Sequence, residues 1–131
     1  MSNHQLAFLL ARITLGINFF LHGLIRIPKL EKFVSGIAEG FQESMLPQFL
    51  VEMFAYGIPF IEIILGFLLV FGIVSRKSLC ASAVFIIILI SGCALKEDWN
   101  AVATQMLYAL FIFFLLKNLE SEVWAIGKKE K

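Results

Sequence analysis

Charged residues are scarce in this sequence, where they make up 16% of 131 residues. Ordinary soluble domains carry about 25% charged and about 45–50% apolar residues, whereas 60% of this chain is hydrophobic. A soluble domain of this size cannot bury so much apolar surface, because burial is limited by the ratio of surface to volume. The net charge is only +1, so we expect no nucleic-acid partner. The composition indicates an integral membrane protein whose main partner is the lipid bilayer.

Cysteine is also rare, with only Cys80 and Cys93 in the chain. Both lie in one apolar run, and a helix would hold them about 20 Å apart, which is too far for a disulfide. The absence of a Cys-x-x-Cys pair argues against a thiol–disulfide oxidoreductase. His22 has no second metal ligand at helical spacing. The sequence therefore predicts no metal site and does not support haem ligation.

Four apolar runs are long enough to cross a bilayer, for which a helix needs about 20 residues. They are predicted at residues 6–25, 54–74, 79–95 and 101–116. The first run is too long for a signal peptide and has no small-residue cleavage site. Short charged links join the last three runs, so those helices should be antiparallel neighbours. The predicted fold is all-α, a four-transmembrane-helix bundle that forms one integral membrane domain over residues 1–131.

The long connection between the first two runs, residues 29–48, has a helical pattern of its own. Four apolar side chains recur in it at helical spacing, with charged residues on the other faces. These four are Leu30, Phe33, Ile37 and Phe41. The pattern predicts an additional helix between the first two spans, lying in the membrane interface or capping the bundle.

Lysine and arginine are unevenly distributed between the two sides of the predicted bundle. The side with both termini and the predicted turn at 75–78 has more of them. Its residues are Arg12, Arg76, Lys77, Lys117, Lys128, Lys129 and Lys131, against Arg26, Lys29, Lys32 and Lys96 on the other side. The positive-inside rule places both termini in the cytoplasm. We expect the protein to lie in the cell (plasma) membrane. The charged tail comprises residues 118–131, of which residues 120–131 are expected to be mobile.

Polar side chains inside apolar runs are costly, so each needs a partner or a role. Asn18, His22 and Arg26 are spaced by four and share one face of the first helix. Counting about 1.5 Å per residue along the other spans brings further polar residues to a similar depth. The six residues expected around one outward-opening pocket are Asn18, His22, Arg26, Glu62, Gln105 and Tyr108.

Two interpretations of this pocket compete. In the first, Glu62 is protonated or paired with Arg12 or His22, and the polar contacts only hold the helices together, at about 1 kcal/mol each. In the second, the pocket binds a small molecule or a quinone head group. His22 and Glu62 then act as catalytic proton exchangers, and the other four residues bind and orient the ligand. A smaller alternative is the docking of a partner protein. Arg12 lies nearer the cytoplasmic side and is interpreted as structural.

Two blocks of the sequence resemble the DoxX family of membrane proteins. Residues 10–26 contain an arginine, then a glycine, then a His-Gly pair followed by a basic residue. In residues 57–76 a glutamate precedes a glycine, and the helix ends in a glycine, a short linker and a basic residue. The resemblance extends over residues 6–117. It places Arg12, His22, Gly23, Arg26 and Glu62 at positions of the family pattern, although Arg26 stands where lysine is commoner.

The resemblance implies a four-helix membrane bundle and a quinone-linked function. The family takes its name from a subunit of a thiosulfate:quinone oxidoreductase, and other members are associated with oxidative-stress and thiol-handling membrane complexes. No flavin or sulfur-cluster motif is present, so electron transfer would require a partner subunit or a bound quinone. The alternatives are a non-enzymatic membrane anchor or scaffold for a partner complex, and a transporter component. A transporter of four spans without an internal repeat would require a homo-oligomer.

Overall fold

The computed structural model describes residues 1–126, and this part of the chain contains five α-helices. They are α1 (Asn3–Arg26), α2 (Leu30–Gly40), α3 (Gln48–Phe71), α4 (Ser75–Leu95) and α5 (Trp99–Lys117), with 3-10 turns at Ile27–Lys29 and Leu119–Ser121. By length and composition α1, α3, α4 and α5 can each cross a membrane. The prediction of an all-α protein with four such helices is confirmed.

The link between α3 and α4 is not where the sequence placed it. The predicted turn at residues 75–78 is instead the first turn of α4, and α3 ends at Phe71. Gly72 ends α3 with a left-handed backbone, at φ +67°, which glycine adopts without steric cost. The amide of Ile73 then donates to the carbonyl of Leu68 at 2.9 Å, as in a Schellman motif. The prediction from hydropathy placed the link too late in the sequence, because the first helical turn of α4 is polar.

The helices form two closely packed pairs, α1 with α3 and α4 with α5. Glycines allow the backbones of α1 and α3 to approach each other. A Cβ atom on Gly16 would lie 2.7 Å from the backbone nitrogen of Val70, and one on Gly66 would lie 2.6 Å from the carbonyl oxygen of Gly16. Small residues commonly make such contacts between membrane helices. The pairs meet in an apolar core formed by Phe8, Leu15, Phe19, Leu69, Leu79, Ile86, Ile112 and Leu115.

The short helix α2 packs against α3 at one end of the bundle. Its side chains Phe33, Val34 and Ile37 are buried or half-buried, whereas Glu31 and Lys32 are exposed. The predicted segment 29–48 therefore contains a helix with one apolar face, although the helix ends at Gly40. Its position in the membrane interface stays a prediction.

The C-terminal segment packs on the opposite end of the bundle as far as residue 126. Glu122 is buried and accepts a hydrogen bond from Nη1 of Arg12 at 2.7 Å. The hydroxyl of Ser75 donates to the same carboxylate oxygen, and the amide of Ile126 donates to the carbonyl of Gly72 at 3.2 Å. Residues 119–126 therefore contact the bundle, and the mobility expected of the tail stays a prediction. Residues 127–131 lie outside the described part of the chain.

Candidate ligand-binding cavity

A cavity of about 480 Å³ lies between the two helix pairs and is covered at one end by α2. Most of its wall is apolar and includes Phe33 and Ile37 of α2, Phe54 and Ile58 of α3, and Leu89 of α4. The volume falls within the range of roughly 300–1,000 Å³ that is typical of small-molecule sites. The space between the helix pairs is therefore large enough for an organic ligand.

All six polar residues of the predicted pocket line this cavity: Asn18, His22, Arg26, Glu62, Gln105 and Tyr108. Three come from the last turns of α1, one from the middle of α3 and two from the first half of α5. The structure therefore brings together the whole set. The catalytic and ligand-binding roles assigned to these residues stay predictions.

Glu62 forms an ion pair with Arg26, whose Nη1 lies 2.7 Å from Oε1 of the carboxylate. The Glu62 side chain is only 6% exposed and that of Arg26 is 32% exposed. The guanidinium also lies over the ring of Phe33, with Cζ 4.6 Å from the centroid, in a cation–π contact. The other carboxylate oxygen, Oε2, is buried without a hydrogen-bond partner among the described residues. One oxygen of Glu62 is therefore fixed, and the other is available to a ligand.

The sequence suggested the wrong partners for Glu62. Arg12 pairs with Glu122 at the other end of the bundle, and no hydrogen bond or ion pair between His22 and Glu62 is found within residues 1–126. Arg26 was expected to contact a ligand, and depth counting had placed it near the outer surface. That counting uses backbone positions, and it overlooked how far a long arginine side chain reaches along the helix.

His22 lies at the edge of the cavity and is exposed. Its Nδ1 is 2.7 Å from the carbonyl oxygen of Asn18, one turn earlier in α1. A carbonyl oxygen only accepts hydrogen bonds, so Nδ1 must carry the proton, and Nε2 of the neutral ring is then an acceptor. His22 also lines a shallow groove on the outer face of α1. The imidazole therefore borders both the cavity and the protein surface.

The α4–α5 side of the cavity contains two residues that the sequence did not indicate, Cys93 and Lys96. Nε2 of Gln105 lies 3.6 Å from the sulfur of Cys93, while Oε1 of Gln105 is buried without a partner among the described residues. The Nζ of Lys96 lies over the ring of Phe41, just after α2, 5.0 Å from its centroid. The short α4–α5 loop already implied that these helices were neighbours, and this was the signal that could have paired Cys93 with Gln105.

The described residues contain no group of three or more His, Cys, Asp and Glu side chains that could hold a metal ion. What the cavity offers is a set of hydrogen-bonding groups within an apolar wall. Two of its acceptors, Oε2 of Glu62 and Oε1 of Gln105, are buried and unpartnered in this part of the chain. A buried acceptor without a partner costs about 1–3 kcal/mol. A ligand with hydroxyl or amine hydrogens would therefore gain affinity from both.

Comparison with known proteins identifies the family. The sequence model of the DoxX family matches residues 7–96, which is more than half of the chain and extends from α1 to the end of α4. The match includes Arg12, His22, Arg26 and Glu62, whereas α5 and the C-terminal segment lie beyond it. No curated protein and no solved structure matches the chain. The resemblance drawn from the two sequence blocks is confirmed, and the chain belongs to the DoxX family.

Proposed function

We propose that this protein is the membrane subunit of a quinone-linked oxidoreductase and that its cavity binds the quinone head group. The strongest support for this proposal is the environment of Glu62. Glu62 is a buried carboxylate on the wall of a mostly apolar cavity, with one oxygen held by Arg26 and the other without a partner in the described residues. A membrane bundle tolerates such a group only if it stabilises the bundle or serves a ligand, and the unpartnered oxygen favours a ligand.

The chemistry of a quinone fits these residues. A bound quinone would supply the redox chemistry, because its reduction and oxidation couple electrons to protons. As electrons arrive, Glu62 would hand a proton to the quinone oxygen, and its Oε2 would then accept a hydrogen bond from the hydroxyl so formed. Oε1 of Gln105 offers a second acceptor, and the hydroxyl of Tyr108 and the amide of Asn18 can donate to carbonyl oxygens of the oxidised form. The cavity can therefore orient either redox state.

His22 would pass protons between the cavity and the surface. Its Nε2 is available as an acceptor because Nδ1 donates to Asn18, and its ring borders the outer groove of α1 as well as the cavity. An imidazole exchanges protons readily near neutral pH. Because no hydrogen bond or ion pair joins His22 and Glu62 within residues 1–126, a ligand or a water molecule would have to carry a proton between them. Electrons would come from a partner protein subunit.

The proposed topology places both termini in the cytoplasm of a plasma membrane and the cavity on the outer side. Four spans bring the two termini to the same side. Arg76, Lys77 and Lys117 lie at that end of their helices, which is the pattern of the positive-inside rule. α2 would then lie in the outer interface, with Glu31 and Lys32 toward the head groups.

Replacing Glu62 with glutamine should weaken quinol binding. The substituted amide keeps the shape of the side chain and an acceptor for Arg26, but it puts an NH₂ donor where the unpartnered acceptor was. Hydrogen bonds to charged groups contribute about 1.5–3 kcal/mol, so we expect a loss of quinol affinity on the order of tenfold or more. The affinity for the oxidised quinone should change less. Equilibrium dialysis of a short-tailed ubiquinone and its quinol, under anaerobic conditions with the purified full chain, measures both.

Glu52→Gln is the matched control, because Glu52 lies on the same helix but is exposed and does not line the cavity. It should leave both affinities unchanged. If neither form of the quinone binds the wild-type protein, the proposed function is wrong. The alternative of a non-enzymatic anchor or scaffold would then be favoured, and it predicts a partner protein at fixed stoichiometry instead.

A further inference from the structure

On the side of the bundle formed by α3 and α4, the wall of the cavity reaches the protein surface. Five wall residues on these two helices are exposed, so we place the rim of an opening there. They are Leu50, Ile87, Ile88, Ser91 and Leu95. Leu50 is in the first turn of α3, and the others lie in the C-terminal half of α4. We call this rim the lateral opening.

The packing of the helices explains why the opening is there. α3 and α4 are joined by the tight turn at residues 72–74, and the ring centroids of Phe54 and Phe85 lie 6.5 Å apart between them. Each helix nevertheless packs mainly on another partner, α3 on α1 and α4 on α5. The first turn of α3 and the last turns of α4 therefore flank the cavity instead of closing it.

The lateral opening differs chemically from the end of the cavity that α2 covers. At the α2 end, Arg26 and Lys96 each lie over an aromatic ring, of Phe33 and Phe41 respectively. The rim of the lateral opening consists of leucine and isoleucine with one serine, whose hydroxyl donates to the carbonyl of Ile87 in its own helix at 2.8 Å. Since α3 and α4 are membrane-spanning helices, an exposed rim of this kind faces hydrocarbon.

We propose that the ligand enters through the lateral opening from the bilayer, and that it carries a long hydrocarbon tail that remains in the opening while the head group contacts Glu62. This inference rests on the proposed function for the identity of the head group. It favours quinones that reside in the membrane, because a tail that lies in the opening contacts the apolar rim, whereas a tail-free, water-soluble quinone gains nothing from it.

A second route is less suited to a tail. The groove on the outer face of α1 is lined by Thr14, Ile17, Leu21 and Ile25, and it meets the cavity only at three polar residues. These are Asn18, His22 and Arg26. A hydrocarbon chain on that path would have to pass all three side chains. The groove is therefore the alternative entry route, and an experiment has to distinguish it from the lateral opening.

Photo-crosslinking of the unmodified full chain in lipid vesicles separates the two routes. The probe is a ubiquinone with a decyl tail that carries a diazirine near its middle, and labelled peptides are mapped by mass spectrometry. We expect saturable labelling of Leu50 or of residues 87–95, displaced by an excess of untagged quinone. Labelling confined to residues 14–25 would overturn the inference. Absence of any displaceable labelling would instead count against the proposed function itself.

Ser91→Trp provides an independent test, because it places a large side chain in the lateral opening. We expect it to lower the affinity for decyl-tailed ubiquinone on the order of tenfold and to change that for the tail-free head group much less. Val84→Trp is the control, since Val84 is exposed on the same helix but does not line the cavity. Equal losses for both quinones, or no loss for either, would contradict entry between α3 and α4.

Discussion

Replacing Glu122 with alanine is expected to lower the free energy of unfolding by about 3–5 kcal/mol, which is the cost of removing one partner of a buried ion pair. Arg12 is only 2% exposed, so its guanidinium would stay buried without a counter-charge. Its Nε already lacks a partner among the described residues. The ion pair also lies against the α3–α4 turn, because a Cβ on Gly72 would be 2.7 Å from Nη1 of Arg12. Losing it would therefore loosen the C-terminal segment and this turn together.

The measurement is thermal or denaturant unfolding of the purified protein in detergent. Glu120→Ala is the matched control, because Glu120 lies on the same C-terminal segment, in the 3-10 turn, but is exposed. Surface substitutions of this kind usually change stability by less than about 0.5 kcal/mol. If Glu122→Ala were as stable as Glu120→Ala, the ion pair with Arg12 would not fasten the C-terminal segment to the bundle.

Replacing Arg26 with alanine is expected to have the second largest effect on stability, about 2–4 kcal/mol. The loss should be smaller than for Glu122 because Arg26 is 32% exposed and part of its charge is solvated. The Arg26→Ala substitution leaves the Glu62 carboxylate buried and unpaired. Adding Glu62→Gln to this variant removes the uncompensated charge, so the double variant should recover part of the lost stability.

A double-mutant cycle of unfolding free energies measures this coupling. Lys29→Ala is the control for the loss of a positive charge at the same end of the bundle, since Lys29 is exposed and lies outside the cavity wall. An Arg26→Ala variant as stable as the Lys29 control would show that Glu62 does not depend on Arg26. A double variant less stable than Arg26→Ala alone would show that the carboxylate, and not its lost partner, stabilises the bundle.

The sequence predicted the four spans approximately, although α3 begins at Gln48 and not near residue 54, and it grouped the residues that line the cavity, because membrane helices are regular. A rise of about 1.5 Å per residue converts a position in an apolar run into a depth, and short loops identify the neighbouring helices. These two rules were enough to group Glu62 with residues of α1 and α5 that are far away in the sequence. The same rules missed Cys93 and Lys96, because neither is unusual at the end of a span.

The ion pairs could not be derived in this way. Arg12 and Glu122 are 110 positions apart, and Glu122 lies in a polar segment where nothing in the pattern distinguishes a buried carboxylate from an exposed one. Glu62 was assigned the wrong partner because depth counting places backbones and not the ends of long side chains. The start of α4 was misplaced for a related reason, since a helix can begin in charged residues that lie outside the apolar run.

Native mass spectrometry of the protein purified gently with its own lipids, combined with extraction and an absorbance spectrum of the same sample, tests quinone binding most directly. We expect a membrane quinone bound in about one-to-one ratio, since one cavity holds one head group, and we expect its depletion in the Glu62→Gln variant. A chain that carries no quinone, or that carries only a partner protein, would contradict this expectation and make the polar cavity a structural feature of the bundle.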